Sequence, residues 1–217
     1  MPPQEGYVIQ MTMRSGPTQP KVRRSCAVGV IASAGGIRAT IELLSSLAAT
    51  FYPPIIVAQH LPRTASSLDQ VLGWHTKRKV CWAEEGERPV FGQVYLCRPG
   101  VSVQLTHEGF RLRPLAGNPS SWLQLPDDLL RSMSETYGNR LAAIVLSGAL
   151  PTGLRGLKQV RASGGILMAQ SRTSSRDFAM PCAAIEIGKV EIFTSPSRMA
   201  GMLEIISEQW DDHPNGQ

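Results

Sequence analysis

What most constrains this chain is a set of short apolar runs without polar alternation: CAVGVIA at 26–32, PIIVAQ at 54–59, LAAIVLSG at 141–148, GGILMAQ at 164–170 and VEIFT at 190–194. A strand with one wet face alternates apolar and polar side chains, so runs apolar on both faces read as parallel strands covered by helices on either side. Helical periodicity is predicted between them, at 36–49, 64–75, 127–137, 153–163, 179–187 and 196–209. Pro126, Pro181 and Pro196 sit near helix starts, where a missing N–H costs nothing. The expected fold class is α/β: a doubly wound, mostly parallel sheet flanked by helices. From about 79 to 115, short alternating segments are split by Gly86, Gly92, Pro99-Gly100 and the turn His107-Glu108-Gly109. That pattern predicts a β-hairpin-rich insert with one antiparallel pair at the sheet edge.

At 217 residues the chain has room for one such domain with tails. The stretch 1–24 holds Pro2, Pro3, Gly6, Gly16, Pro17 and Pro20 without sustained periodicity and reads as a disordered tail, as does 210–217, which leaves a domain at 25–209. Hydrophobic content of 42%, charged content of 18% and a net charge of +5 describe a globular protein. Its basic residues are scattered apart from Lys21, Arg23, Arg24 and the run Lys77-Arg78-Lys79, with no interleaved aromatics, so no nucleic-acid partner is expected. Cys26, Cys81, Cys97 and Cys182 lie far apart with no C-x-x-C spacing, which fits buried thiols in a reducing compartment and argues against a structural zinc site. No segment has the roughly 18 consecutive apolar residues of a membrane span, and the N-terminus lacks the apolar core of a secretion signal. A cytoplasmic protein with no metal and no organic cofactor is expected; its oligomeric state is not legible.

Three strand ends carry the chemistry. An open α/β sheet collects residues at the carboxyl ends of its strands. The first run ends in Ser33-Ala34-Gly35-Gly36, a sharp turn into a helix that exposes a hydroxyl and leaves the Ala34 N–H as one donor for an oxyanion. A dinucleotide fingerprint is excluded because Ile31 stands two residues after Gly29, and a Walker loop because Ile37-Arg38 replace the required Lys and Ser/Thr. The second run ends in Gln59-His60. Adjacent parallel strands end about 5 Å apart, so the His60 imidazole can act as base for the Ser33 hydroxyl. His75, His107 and His213 fall on a helix end, a turn and the tail, where no such role is expected. The third run, LSGALPTG at 146–153, turns between Gly148 and Gly153, and the Ala149 N–H is a candidate second oxyanion donor.

These residues resemble the catalytic domain of the chemotaxis receptor protein-glutamate methylesterases, the CheB type, over about Cys26 to Ile206. The family's nucleophile motif I-G-A-S-T-G-G is similar to Val30–Gly36, and Q-H-M-P to Gln59–Pro62. E-D-G-x-x-x-x-P-G-x-V-Y-x-A-P-G resembles Glu84–Gly100, P-S-V-D-x-L-F resembles Leu125–Leu130, L-T-G-M-G-x-D-G resembles Leu146–Gly153, and x-T-S-x-x-F-G-M-P-x-A-A resembles Arg172–Ala184. The resemblance implies hydrolysis of glutamate methyl esters on chemoreceptor helices, often with glutamine deamidation, through a Ser-His-Asp triad. Here Thr152 stands at the position of the triad Asp, after Pro151. A Thr can accept the imidazole N–H but brings no charge, and neutralising that acid in a serine protease costs roughly 10⁴-fold in kcat. Ile31 replaces a Gly, with crowding of the serine turn expected; Ala34 replaces Thr and Ala149 replaces Met. Asp177 occupies a usually apolar position and is the candidate substitute acid, with Asp127 and Asp128 as further candidates. A receiver domain ahead of the esterase domain, usual in the family, is not expected from the 24 or so residues that precede the first strand. Three functions follow: a receptor methylesterase working through Ser33 and His60, a methylesterase-like module that has lost turnover and binds a receptor or signalling partner, or, since a fold does not fix its substrate, a hydrolase of an unrelated small ester.

Overall fold

The computed structural model describes residues 26–62, 66–115, 120–187 and 190–212; the predicted tail at 1–24 lies outside them. Seven strands form one sheet: β1 (Ala27–Ala32), β2 (Ile55–Gln59), β3 (Val80–Trp82), β4 (Val94–Leu96), β7 (Leu141–Val145), β8 (Ile166–Gln170) and β9 (Ile192–Thr194). Their order is β3-β4-β2-β1-β7-β8-β9, and all six neighbouring pairs run parallel. Every residue of β1, β2 and β7 is buried, as their unbroken apolar runs demand.

Alternate side chains feed two cores. Val28, Val30, Ile55, Val57 and Ile144 pack with helices α1 (Gly36–Ser46), α2 (Leu68–Gly73) and α6 (Pro196–Asp212). Ile31, Ile56, Ala143, Val145 and Leu167 pack with α3 (Leu125–Tyr137), α4 (Leu154–Ala162) and α5 (Ala179–Glu186). The chain leaves β1 toward β2 on one side and later returns to pair β7 on the other, so the order reverses at β1. That reversal opens a crevice at the carboxyl ends of β1 and β7, the usual ligand position in such sheets.

The insert differs from the sequence expectation. β3 and β4 are not arms of hairpins; each is a three-residue parallel member of the main sheet. The antiparallel pair, β5 (Val101–Thr106) with β6 (Gly109–Pro114), forms a separate two-stranded sheet rather than a sheet edge. It packs its buried Val103, Leu105 and Phe110 into the core that α3 shares. A two-stranded ribbon is marginal alone, and lying on a helix is what gives it a buried face. The start of the tail expected at 210–217 is corrected: α6 continues through Asp212, and Trp210 is buried in the core, where its indole removes a large apolar area from water; residues 213–217 lie outside the described residues.

Candidate active site

The ends of β2, β1 and β7 are tied to one another by backbone bonds. The His60 N–H donates to Ala32 O at 2.9 Å, the Ser33 N–H to Ser147 O at 2.9 Å, and the Leu146 N–H to Ile31 O at 3.0 Å. Ser33 and His60, 27 positions apart, therefore meet over one rim, with Ser33 Oγ 3.4 Å from His60 Nδ1. The contact is long for an O–H···N bond, as is common for a catalytic pair without substrate. For His60 to act as base, the imidazole is the neutral tautomer with the proton on Nε2, which leaves Nδ1 to accept the serine hydroxyl. Gln59 braces the pair from below: its Nε2 donates to Ser33 O at 2.9 Å and to His60 O at 3.2 Å.

Gly35 makes the turn possible. It sits at φ +78, and a Cβ there would lie 2.6 Å from Arg176 Cβ and 2.7 Å from Ser147 Oγ, so neither the backbone nor the space admits a side chain. The N–H groups of Ala34 and Ala149 have no hydrogen-bond partner among the described residues, which leaves both available as oxyanion donors. Ser33 and His60 line a cavity of about 250 Å³ together with Cys97, Arg98, Trp122 and Thr152. On their other side they line a more open hollow of about 800 Å³ with Arg38 and Arg176.

The acid position is a different matter. The Thr152 hydroxyl donates to Met180 Sδ at 3.4 Å and makes no hydrogen bond to His60. Gly153 beside it adopts φ +81, and its missing Cβ would stand 2.6 Å from Ile31 Cδ1. The crowding expected of Ile31 thus falls at the Thr152–Gly153 turn: the side chain points into the core shared with α3, α4 and α5, against the place a Gly153 Cβ would take. Nor do the candidate substitute acids reach the imidazole. Asp177 is held through its backbone, its N–H donating to Ser147 Oγ at 2.9 Å and its C=O accepting from Gly148 N–H at 3.0 Å, and its carboxylate makes no hydrogen bond among the described residues. Asp127 caps the start of α4 by accepting from the Gly156 N–H at 2.8 Å, and Asp128 accepts from Ser102 Oγ at 3.2 Å. Burial lowers the His60 pKa from its ordinary 6.5; no carboxylate raises it.

Two residues of the site carry no sequence signal. Ser147, fully buried, uses its hydroxyl to bond Ala34 O at 2.7 Å while accepting the Asp177 N–H. It thereby fastens the serine turn to the loop before α5. Trp122, in a 3₁₀ turn at Ser121–Gln124, lies flat on the imidazole, with ring centroids 4.0 Å apart and planes 2° from parallel. The Cys97 thiol lines the same cavity, but burial pushes its pKa up to about 12, which suppresses the thiolate a nucleophile needs.

With this geometry in hand, comparison with known proteins is decisive on ancestry. The family model of the CheB methylesterase domain matches residues 28–203. The chain belongs to the CheB methylesterase family. A Myxococcus xanthus protein-glutamate methylesterase/protein-glutamine glutaminase is 33% identical over 177 residues, covering 80% of this chain and 48% of that protein. A Burkholderia orbicola protein of the same description is 30% identical over 184 residues, covering 83% and 54%. The chain therefore spans about half the length of these relatives. Among solved structures, the Thermotoga maritima CheB methylesterase catalytic domain superposes with a TM-score of 0.73 at 26% identity, covering 86% of this chain and 99% of that one. No helix among the described residues is long and apolar enough to cross a membrane.

Proposed function

We propose that this CheB-family chain is a slow protein-glutamate methylesterase that attacks through a Ser33–His60 dyad without a triad acid, on the cytoplasmic helices of chemoreceptors or of a related signalling protein. His60 Nδ1 takes the Ser33 proton as Oγ bonds to the ester carbonyl carbon, and the carbonyl electron pair moves onto oxygen, facing the Ala34 and Ala149 N–H groups. Collapse breaks the C–O bond to the methoxy group, which leaves as methanol with the proton from Nδ1. Water then repeats the sequence and frees the glutamate carboxylate. With a glutamine side chain the leaving group is ammonia, and the same groups serve.

The observation that carries this reading is the approach of Ser33 Oγ to His60 Nδ1 at the rim where β1 and β2 end. A burial-lowered imidazole pKa keeps the base neutral, and so competent, at neutral pH. The hollow flanked by Arg38 and Arg176 is open enough for a protein segment rather than a buried small ester. One observation favours a second reading, a binding module without turnover: the Thr152 hydroxyl is spent on Met180 and gives the imidazole no support. Methanol release from a methylated receptor fragment separates the two. Release above a Ser33→Ala control supports the esterase, and release equal to that control leaves the binding module.

A further inference from the structure

His60 lacks the partner that orients the base in a Ser-His-Asp site, yet its ring is not free to turn. Its Nε2 bonds nothing among the described residues, and Thr152 and Asp177 do not reach it. What touches the ring is the Trp122 indole, face to face at 4.0 Å and 2°. Trp122 is itself half-buried, at the start of the segment leading into α3, which packs against the core on this side of the sheet.

We propose that Trp122 is the positioning residue of this site, standing in for the missing carboxylate by fixing the imidazole plane and by placing an indole face against the imidazolium that forms during attack. The inference rests on the hydrolase reading above. A triad carboxylate does two things: it holds the ring so that the other nitrogen meets the serine, and it stabilises the positive charge the ring acquires. A flat stack contributes to the first by holding the ring in the plane from which Nδ1 meets Ser33 Oγ, and the serine contact itself selects the edge. It does the second through the ring quadrupole, which attracts a cation lying over the face of Trp more strongly than over Phe or Tyr. The gain from such a contact amounts to roughly 2- to 30-fold in rate, against roughly 10⁴-fold for a carboxylate. The stack therefore returns part of what Thr152 gives up and leaves a slow enzyme.

The charged and titratable groups around the ring do not supply the missing charge. Arg98 and the Cys97 thiol follow β4 on the cavity side, Arg98 being paired with Glu84, while Arg38 of α1 and Arg176 lie across the open hollow. Their net sign opposes an imidazolium, so an attractive indole face matters more here than in a site with an acid. Asp127 and Asp128 on α3 are committed to Gly156 and Ser102.

The test compares Trp122→Phe with Trp122→Leu in the full chain. Both keep apolar cover on the ring, and only Phe keeps a π face. The His60 pKa, read by NMR from the imidazole carbon without any substrate, is expected to fall in the order wild type, Phe, Leu, with Leu lower by about half a unit to one and a half units. Labelling of Ser33 by a fluorophosphonate is expected to slow by roughly 2- to 30-fold in Leu and to be largely rescued in Phe. Removing cover alone would raise the pKa, since burial lowers it; a higher pKa in Leu, or equal values in Phe and Leu, overturns the proposal. If the wild-type protein is not labelled at all, the hydrolase reading fails, while the NMR order still decides whether the indole stabilises the imidazolium.

Discussion

Ser147→Ala is the substitution whose cost the structure specifies most fully. The hydroxyl is fully buried, donates to Ala34 O at 2.7 Å and accepts from the Asp177 N–H at 2.9 Å. Its own backbone is held separately, the N–H donating to Gln170 Oε1 at 2.8 Å and the C=O accepting from Ser33 N–H at 2.9 Å. Alanine therefore keeps the strand end and deletes only the link between the serine turn and the loop before α5. Two neutral hydrogen bonds are lost, and the carbonyl of exposed Ala34 and the amide of half-buried Asp177 lose a partner that water replaces only in part; at about 1 kcal/mol per bond, with up to about 1 kcal/mol more for each group that water does not fully reach, the sum is about 2–4 kcal/mol. For a domain of this size that lowers Tm by roughly 5–15 °C. Thermal unfolding followed by circular dichroism reads it directly, and hydrolysis or Ser33 labelling is expected to fall about 10- to 100-fold as the turn loosens, because misplacement of about 1 Å has effects of that order. A Tm within about 2 °C of wild type would refute the claim that Ser147 is the tie between these loops.

Three further outcomes follow from the same geometry. Asp177→Asn leaves hydrolysis within about twofold of wild type in a methanol-release assay, because that carboxylate makes no bond to the imidazole. The rate falls as pH drops through the His60 pKa, which burial places below 6.5, and holds above it. The linked stability has the same sign: the folded state binds the proton less readily than the unfolded chain, so this contribution is present above the unfolded pKa and declines as pH falls toward the folded one, which a pH series of urea unfolding checks. Iodoacetamide at pH 8 leaves Cys97 unmodified by peptide mass mapping, since a thiol pushed up to about 12 carries on the order of 10⁻⁴ thiolate there.

How far the fold was readable depends on the length of each element and the number of faces it buries. β1, β2, β7 and β8 are five or six residues long and buried on both sides, so their sequences carry unbroken apolar runs that no exposed strand would show. β3 and β4 have three residues each, too few to display any period, and the glycines around them suggested hairpins where the chain makes parallel pairs. Ser33 and His60 were legible because each follows a buried run, and position at a strand end survives without knowledge of side-chain rotamers. Trp122 and Ser147 were not. The first acts through a stack with a ring that follows a strand far away in the sequence, and the second is one small residue in a turn of small residues, so neither has a local pattern. Asp177 misled for the opposite reason: a charge at an apolar position is conspicuous in sequence, but the backbone bonds to Ser147 and Gly148 set that loop without drawing the carboxylate to the imidazole.

Activation of Ser33 by His60 without a hydrogen-bonded carboxylate is read out by intact-mass labelling with a fluorophosphonate, which needs no knowledge of the natural ester. A single adduct on Ser33 is expected, absent in Ser33→Ala and formed roughly 10²-fold or more slowly in His60→Gln. Equal labelling of wild type and His60→Gln, or an adduct that persists in Ser33→Ala, would contradict it.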